Sequence, residues 1–419
     1  MFLPSLVYRM SACLSVTRRG EAFEIVHELN GRRFVLPSPA YQLLRQLREP
    51  ATLDELLVRT GPAFPAGEVQ KLLDRLRAGG VVVMDGDDET FHQRLPAQAA
   101  MGIPFYEGGQ PEDQNERRLV LLGLPYGGGN HLDAGCARFP AKFRWFAHAY
   151  LSNLQAKAST VDLRGFGADN AFFAPLRRWL TEGRLTDGGD LCLQASEFPV
   201  SVYAKVRRLA SETAAAGNVP IFLGGDHSLT FPAIAGVASQ HEHFQVIQFD
   251  AHTDTYANRV AELYAGAGKA AHHHGNFLSR VLELPQITSV WQFGIRGPYS
   301  LNPPADHRCQ TVYTHEIPDF LNGHTSEMPD PDLPTYLTFD IDFFDPAVAP
   351  GTATPVIAGP GYQEGMQLLT RILDRVNIVA ADIMEVNPEK DYDQRTIQVA
   401  TNTLFRLING IKDQVAAEN

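Results

Sequence analysis

Six short apolar runs limit the possible folds of this 419-residue chain more than any other feature of its sequence. Each is five or six residues long, without alternation, which is typical of strands buried on both faces. Between them, apolar residues recur every three or four positions, as in amphipathic helices. The sequence therefore predicts an α/β fold in three layers, with helices on both sides of a mostly parallel sheet. The runs lie at 119–124, 219–223, 244–249, 290–295, 335–339 and 378–383, and the helical stretches at 199–215, 229–239, 363–376 and 394–411.

Residues 1–95 show a different pattern. Two segments of alternating polarity flank Asn30-Gly31, a dipeptide that favours a tight hairpin. Helical stretches and a final strand follow, so this part is predicted to be a small winged-helix-like α+β domain. Residues 96–117 are predicted to be a linker and 118–419 the larger domain. The predicted strands of the first domain are 21–29, 32–37 and 81–84, and its predicted helices are 38–47, 52–59 and 66–78.

Charge is divided unevenly along the chain. The first hundred residues contain 12 basic and 12 acidic side chains, so the net charge of −12 belongs entirely to the rest. This balance disfavours nucleic acid as a partner and is compatible with cationic ligands or with simple solubility. The sequence shows neither a membrane-spanning stretch nor a signal peptide, so no membrane partner is expected. The four cysteines form no C-x-x-C pair, and a cytoplasmic location with reduced thiols is predicted.

Acidic and histidine residues cluster directly after three of the apolar runs. Ligands bind at the carboxyl ends of the strands in parallel α/β sheets, so these clusters are the candidate site. In extended chain, residues two positions apart share one face and their side chains can converge. The clusters are Gly-Gly-Asp-His-Ser at 224–228, Asp-Ala-His-Thr-Asp at 250–254 and Asp-Ile-Asp-Phe-Phe-Asp-Pro at 340–346. The side chains expected to meet are His227, Asp250, His252, Asp254, Asp340 and Asp342.

Four carboxylates in one place would repel each other and take up protons unless cations held them. Two divalent ions would meet this need, and an oxygen-rich set with two imidazoles and no thiolate suits Mn²⁺ better than Zn²⁺. Taken singly, an Asp after a strand is commonly a cap or a turn former, as we interpret Asp345, and a loop His is commonly an ordinary polar residue. The three clusters together favour a site for two metal ions.

In this order and spacing the clusters resemble the signature of the ureohydrolases, the family of arginases and agmatinases, over residues 118–415. The segments 123–144, 294–297 (Gly-Ile-Arg-Gly) and 384–388 (Met-Glu-Val-Asn-Pro) are also similar. The resemblance implies two Mn²⁺ ions per chain, held by all six of the side chains just named. It also implies hydrolysis of a guanidinium to urea and a primary amine by a water activated between the ions, with Asp254 moving the proton to the departing amine.

The same resemblance assigns two further residues. Glu385 matches a glutamate that pairs with the guanidinium, although a carboxylate at this place could also cap a helix. His274 matches a histidine that shuttles protons between solvent and site. The triplet His272-His273-His274 could instead be a solvated loop.

The chain departs from arginases proper just after the second cluster. Where those enzymes have an Asn that reads the α-carboxylate of free arginine, this chain has Tyr256, a candidate substrate contact. The run 250–258 resembles agmatinases instead, and the stretch 256–273 is longer than is usual in either group. A site not built for the charged α-groups should accept guanidines that lack them.

The first domain resembles PqqD-like RiPP recognition elements, small winged-helix domains that capture leader peptides of ribosomally made, modified peptides. The resemblance rests on the hairpin, the order of the helices and the segment 31–40. It implies that a leader peptide binds as an added strand on the hairpin edge, against the helix predicted at 66–78. A DNA-binding winged helix is the alternative, but the balanced charge gives no basic surface for it.

Together these features predict a peptide arginase, an enzyme guided by a leader peptide that converts arginine side chains of a precursor peptide to ornithine and releases urea. One alternative is an agmatinase or guanidinobutyrase acting on a small free guanidine, with the extra domain serving assembly. A second alternative is a leader-binding scaffold with an inactive catalytic domain. A third is a deacetylase, which has a related fold and a single zinc ion. The resemblance also implies a homo-oligomer.

Overall fold

The computed structural model describes fourteen segments of the chain, and these divide into two compact units. One unit is Met1–Leu95 with Cys192–Glu197, and the other is Pro96–Leu191 with Phe198–Asn419. The predicted Asn30-Gly31 turn and most of the predicted linker lie outside the described residues. The described segments are 7–11, 14–27, 33–61, 64–78, 81–84, 94–95, 103–106, 117–130, 132–156, 172–193, 199–256, 272–297, 306–324 and 327–412.

The first unit is a small α+β structure. Its elements are β1 (Val7–Met10), β2 (Leu14–Arg19), β3 (Ala22–His27), β4 (Arg33–Pro37), α1 (Ser38–Gln46), β5 (Ala51–Thr52), α2 (Leu53–Thr60), α3 (Ala66–Ala78), β6 (Val82–Met84) and β7 (Arg94–Leu95). Two three-stranded antiparallel sheets have the orders β5-β1-β6 and β2-β3-β4. The predicted β3–β4 pair and all three predicted helices are present.

Local sequence explains why these helices begin where they do. The Thr52 hydroxyl accepts from the backbone N–H of Glu55 at 3.2 Å, and the Glu55 carboxylate accepts from the backbone N–H of Thr52 at 2.8 Å. This reciprocal cap starts α2. Pro39 lies in the first turn of α1, where its missing N–H costs nothing. The apolar faces of the helices pack together, with Leu44 and Leu56 fully buried.

The second unit is built on eight parallel strands with the spatial order β13-β12-β11-β14-β15-β10-β8-β9. All six strands predicted from the apolar runs are present, with ends within three residues of those predicted. The strands are β8 (Leu119–Gly123), β9 (Leu185–Leu191), β10 (Val219–Leu223), β11 (Phe244–Phe249), β12 (Ile287–Ile295), β13 (Cys309–Tyr313), β14 (Pro334–Asp340) and β15 (Asn377–Met384).

Helices cover the sheet in two groups, and all four predicted helices of this unit are present. The helices are α4 (Phe139–Ala156), α5 (Ala174–Thr181), α6 (Pro199–Ala215), α7 (Thr230–Ala238), α8 (Phe277–Val281), α9 (Ile317–Leu321), α10 (Tyr362–Leu373) and α11 (Arg395–Gly410). Within the described chain, α6, α7 and α8 pack together as one group. The other group consists of α4, α5, α10 and α11, and α9 packs against α10.

Strand β9 was not predicted, and a buried ion pair explains why. Its sequence, Leu-Thr-Asp-Gly-Gly-Asp-Leu, has too few apolar residues for a buried strand. Arg144 on α4 is fully buried, and its Nε lies 2.9 Å from Oδ2 of Asp187. It also pairs with Asp190. A charged pair with several hydrogen bonds can replace apolar burial only when both partners are present, which no local pattern reveals.

Candidate metal centre

The candidate site lies at the carboxyl ends of four neighbouring strands, in the order β11, β14, β15 and β10. Asp250 directly follows β11, Asp340 ends β14 and Glu385 directly follows β15. His227 follows β10 after a turn that contains Gly225. A Cβ at Gly225 would overlap the backbone carbonyl oxygen of Tyr126, so only glycine lets the chain turn here.

Three carboxylates surround one nitrogen of His227. Its Nδ1 lies 3.2 Å from Oδ2 of each of Asp250, Asp254 and Asp340, and all four side chains are buried. None of these contacts has hydrogen-bond geometry. Asp254 also has a φ of +47°, a left-handed conformation that a non-glycine residue rarely adopts. One imidazole nitrogen and three carboxylate oxygens thus lie close together without hydrogen bonds between them, which is the arrangement of ligand atoms around a cation.

The opposite nitrogen of His227 fixes the orientation of its ring. Nε2 lies 2.8 Å from Oγ1 of Thr338, and that hydroxyl donates to Oδ1 of Asp382 at 2.6 Å. Asp382 also accepts from the hydroxyls of Thr230 and Tyr336, each at 2.8 Å. Because the Thr338 hydroxyl proton goes to Asp382, its oxygen accepts the Nε2–H of His227, and Nδ1 faces the carboxylates. Metal-ligating histidines are commonly held in this way.

A second group shares Asp250 with the first. His252 Nδ1 lies 3.1 Å from Oδ2 of Asp342 and 3.6 Å from Oδ1 of Asp250. Asp342 also accepts from the backbone N–H of Ala251 at 3.1 Å, and Gln248 donates to Asp250 at 2.7 Å. One possible ligand atom from each of His227, Asp250 and Asp254 lies within 4.8 Å of the others, and the same holds for Asp250, His252 and Asp342. The structure thus brings all six predicted ligands together around one shared carboxylate.

The buried carboxylates of the two groups need positive charge close to them. Burial and the charge of Asp250 raise the pKa of Asp254 to about 6, and burial raises the pKa of Asp340 well above its usual value. Burial alone would lower the pKa of His252, but the carboxylates of Asp342 and Asp250 raise it to about 12. Without a metal ion the cluster therefore holds extra protons. Carboxylates and imidazoles fit two divalent ions such as Mn²⁺, as the sequence predicts.

Glu385 lies beside the two groups with its carboxylate held from three sides. Oε1 accepts from the backbone N–H of His227 at 3.0 Å, and Oε2 accepts from the Asn130 side-chain amide at 3.0 Å. His274 Nδ1 lies 3.3 Å from Oε1. Burial opposes the charged form, yet His274 and the N–H of His227 lower the pKa of Glu385. The same pairing, against the effect of burial, raises the pKa of His274 to about 9.

The other two histidines of the triplet have structural contacts. The ring of His272 lies 2.7 Å from the carbonyl oxygen of Ser228, and burial lowers its pKa to about 4. His273 Nδ1 accepts from the backbone N–H of Gly275 at 3.2 Å and caps the short 3-10 helix that begins at His274. Only His274 reaches Glu385. The interpretation of the whole triplet as a solvated loop is therefore wrong.

A cavity of about 500 Å³ opens above the two groups, lined by Leu132, His252, Asp254, Tyr256, His273, His274, Gly275, Asp340, Ala353, Thr354, Pro355 and Val356. We call His252, Asp254, His274 and Asp340 its inner end, and Leu132, Tyr256, Pro355 and Val356 its outer wall. Leu132 is 74% exposed and Tyr256 41%. Tyr256, the predicted substrate contact, lines this cavity, and its contact with substrate stays a prediction. Most of the predicted 256–273 stretch, residues 257–271, lies outside the described residues.

Sequence reasoning did not identify three residues that support the site: Asn130, Thr338 and Asp382. Asn130 lies in the glycine-rich segment, where its role depends on Glu385, 255 residues further along the chain. Thr338 and Asp382 are polar residues inside buried strands, and such a position is itself a signal. A carboxylate in the middle of an apolar strand needs partners, and here the partners lead to His227.

Comparisons with known proteins agree with this geometry. A model of the arginase family matches residues 117–409. The mitochondrial agmatinase of Gallus gallus is 32% identical over 301 residues, 69% of this chain and 79% of the agmatinase. The proclavaminate amidinohydrolase of Streptomyces clavuligerus is 30% identical over 302 residues, 70% of this chain and 88% of that protein. The solved structure titled proclavaminate amidino hydrolase from that organism covers 76% of this chain and 98% of its own, at 26% identity and a TM-score of 0.59.

This chain belongs to the arginase family. The predicted fold class is confirmed, and so is the predicted enzyme class, a hydrolase that acts on C–N bonds of guanidino groups. No helix among the residues that the structure describes has the length and apolar character to cross a bilayer. The resemblance of the first unit to peptide-recognition elements stays a prediction.

Proposed function

We propose that this enzyme hydrolyses the guanidino group of arginine side chains within a peptide, giving ornithine and urea. The contrast within the cavity carries the proposal, because the inner end is acidic and histidine-rich while the described outer wall is uncharged. An arginine residue in a peptide has the matching contrast. Its guanidinium is cationic, and its α-carbon is flanked by neutral amides.

The guanidinium of the substrate would bind to Glu385. This carboxylate is almost fully buried, and its contacts with His274 and the backbone N–H of His227 lower its pKa, while Asn130 donates to its other oxygen. A planar guanidinium can donate two parallel N–H bonds to such a fixed carboxylate. This contact would orient the guanidinium carbon toward the two metal groups without involving the rest of the substrate.

Proton transfers at the centre can be assigned to two side chains. When bound, a pair of divalent ions would supply an activated water near neutral pH. The carboxylate of Asp254 would hold a proton beside the reacting carbon and pass it to the departing amine. His274 is 20% exposed while its ring contacts Glu385, so it can pass protons between the site and solvent.

The outer wall discriminates among guanidines by charge. A guanidine with a free carboxylate would bury that charge against the wall, where no lysine or arginine is found among the described lining residues. Leaving such a charge without a partner costs more than leaving a neutral peptide group at the same place. The wall therefore favours substrates whose distal end is uncharged.

The first unit offers a surface for the rest of the peptide. Its strand β4 is an edge strand in the described sheet β2-β3-β4, and Val35 on it is 64% exposed. An extended peptide can add to such an edge through backbone hydrogen bonds. Binding a leader there would raise the local concentration of arginine residues at the cavity.

The second candidate substrate is agmatine, and similarity to the Gallus gallus agmatinase favours it. Agmatine shares the guanidinium but ends in a free amine, for which the described outer wall provides no carboxylate. The silent scaffold is the weakest alternative, because the six predicted ligands and Glu385 all lie together at one site.

The test uses the full-length protein loaded with Mn²⁺. Urea release is measured from agmatine, free arginine, 4-guanidinobutyrate, Nα-acetyl-arginine methylamide and a library of arginine-containing peptides. Mass spectrometry of the peptides should show loss of CH₂N₂ as arginine becomes ornithine. We expect the blocked arginine and the peptides to exceed 4-guanidinobutyrate and agmatine in kcat/KM, and the Asp254→Asn variant serves as the inactive control.

Two outcomes would overturn the proposal. Urea from agmatine with none from blocked arginine or any peptide would make the enzyme an agmatinase. No urea from any guanidine, despite two bound ions, would favour the scaffold.

A further inference from the structure

Arg296, the first residue after β12, donates to an unusually large set of backbone carbonyls. All five N–H groups of its guanidinium are used. The acceptors are the carbonyl oxygens of Gly294 and Phe343 from Nη1 at 3.0 and 3.1 Å, of Asp342, Val356 and Phe344 from Nη2 at 2.7, 2.9 and 3.2 Å, and of Ile357 from Nε at 3.2 Å.

These carbonyls belong to three separate segments. Three lie in the turn 342–344, which carries the candidate ligand Asp342. Two lie at 356–357, which continues the outer wall of the cavity. One belongs to Gly294 in β12. One side chain thus holds the second metal group and the cavity wall together.

Further contacts join the same wall and turn. The hydroxyl of Thr354, which lines the cavity, donates to Oδ2 of Asp342 at 3.2 Å. Ala358, directly after the wall, has a φ of +62°, a conformation that a residue with a side chain keeps only when its surroundings impose it. Gly359 lies so close to Arg296 that a Cβ there would overlap the guanidinium.

We propose that Arg296 is a positioning residue that fastens the outer wall to the turn carrying Asp342, so that the distal substrate contacts and the second metal group share one support. It touches neither the metal ligand atoms nor the space of the cavity. Its effect passes through the backbone of Asp342 and Val356. The proposal depends on the metal centre and is independent of which guanidine is the natural substrate.

Lysine cannot take over this role although it keeps the charge. An ammonium has three donors around one atom, whereas the guanidinium spreads five donors over a rigid plane and reaches three segments at once. The Arg296→Lys variant should therefore release either the turn or the wall. Outer contacts of metal ligands typically change metal affinity by about 10- to 100-fold when removed.

The experiment compares the full-length Arg296→Lys protein with a matched control, Arg308→Lys. Arg308 also donates to two carbonyls, of Ile287 at the start of β12 at 3.0 Å and of Leu282 directly after α8 at 2.8 Å, and neither belongs to the turn or the wall. Mn²⁺ binding is followed by calorimetric titration, and electron paramagnetic resonance detects the coupled pair of ions. Unfolding temperature is measured on the same samples.

We expect Arg296→Lys to weaken one of the two Mn²⁺ binding steps by on the order of 10- to 100-fold, to reduce the coupled-pair signal and to leave the other step unchanged. Arg308→Lys should match the parent protein in both steps. A lower unfolding temperature with an unchanged Mn²⁺ titration would show that Arg296 acts only on general stability, and the proposal would be wrong.

A second variant decides the question if Arg296→Lys does not fold. Thr354→Val removes the side-chain link between the wall and Asp342 while preserving shape. We expect it to weaken the same Mn²⁺ step by a smaller factor and to raise KM more than it lowers kcat. An unchanged titration in Thr354→Val would contradict the shared support of wall and metal group.

Discussion

The inner end and the outer wall of the cavity are built in different ways. Three residues of the inner end, His252, Asp254 and Asp340, lie at the carboxyl ends of neighbouring strands, and Asp254 and Asp340 are buried. Each of these two aspartates contacts a histidine that contacts other ligands in turn. The outer wall collects residues from loops far apart in the sequence, and Leu132 and Tyr256 in it are partly or largely exposed.

This difference separates chemistry from selectivity. A change at the inner end disturbs several ligands at once, because the donor atoms are shared. A change of a side chain at the outer wall that leaves the backbone in place alters what lies next to the distal end of a bound guanidine. Substitutions at the inner end should therefore abolish the reaction, and substitutions at the wall should change the choice of substrate.

The largest effect is expected from Asp250→Asn, because Asp250 belongs to both metal groups. The amide cannot replace an anionic ligand, so at least one ion should be lost and activity should fall by on the order of 1,000-fold. Metal content by mass spectrometry and urea release provide the measurement. Asp345→Asn is the matched control, since among the described residues the Asp345 carboxylate accepts from the backbone N–H groups of Ala347 and Gly359 and contacts neither metal group. Two tightly bound ions in Asp250→Asn would contradict the sharing of this carboxylate between the two metal groups.

A smaller loss is expected from Glu385→Gln. Removing the charge while keeping the shape weakens the bond to the guanidinium, so kcat/KM should fall by on the order of 100-fold with two ions still bound. Glu389→Gln is the control, because Glu389 forms a surface pair with Arg138. Equal loss of activity in both variants would contradict the assignment of Glu385.

The inner end should also respond to pH. Asp254 has its pKa raised from 3.8 to about 6, so its protonation stabilises the metal-free fold below about pH 4, and this contribution is lost as the pH rises to about 6. Mn²⁺ must displace the same proton, so its affinity should fall by up to about tenfold per unit below pH 6. Unfolding temperatures of chelator-treated and Mn²⁺-loaded protein between pH 5 and 8 test this point. The gap between the two should widen with rising pH, and a constant gap would contradict it.

The smallest effect is expected at the outer wall. Val356→Asp places a carboxylate of similar size in the outer wall, where the distal end of the proposed substrate would lie. The kcat/KM of agmatine should therefore rise relative to that of blocked arginine by roughly fivefold, the contribution of a partly exposed ion pair. The ratio of the two kcat/KM values is the measurement, and Val200→Asp, at a surface position 59% exposed, is the control. A loss of Mn²⁺ with no change in the ratio would mean that Val356 belongs to the inner end.

Much of the fold could be predicted because the signals are local. The six apolar runs appear as β8, β10, β11, β12, β14 and β15, since strands buried on both faces need no partner to be recognisable. Strand β9 could not be predicted because its two aspartates are buried only with Arg144. Strand β1 is only four residues long, too short for a periodic pattern.

By itself the sequence predicted the fold class and six candidate ligands, because residues at fixed offsets after parallel strands meet at one edge of the sheet. Glu385 was predicted from the resemblance to the ureohydrolases. Only the tertiary structure decided how these side chains are held. Asn130 against Glu385, Thr338 against His227 and Arg296 against Val356 are contacts across 60 to 255 residues of chain. No local period encodes such contacts, since they exist only after packing has brought distant loops together.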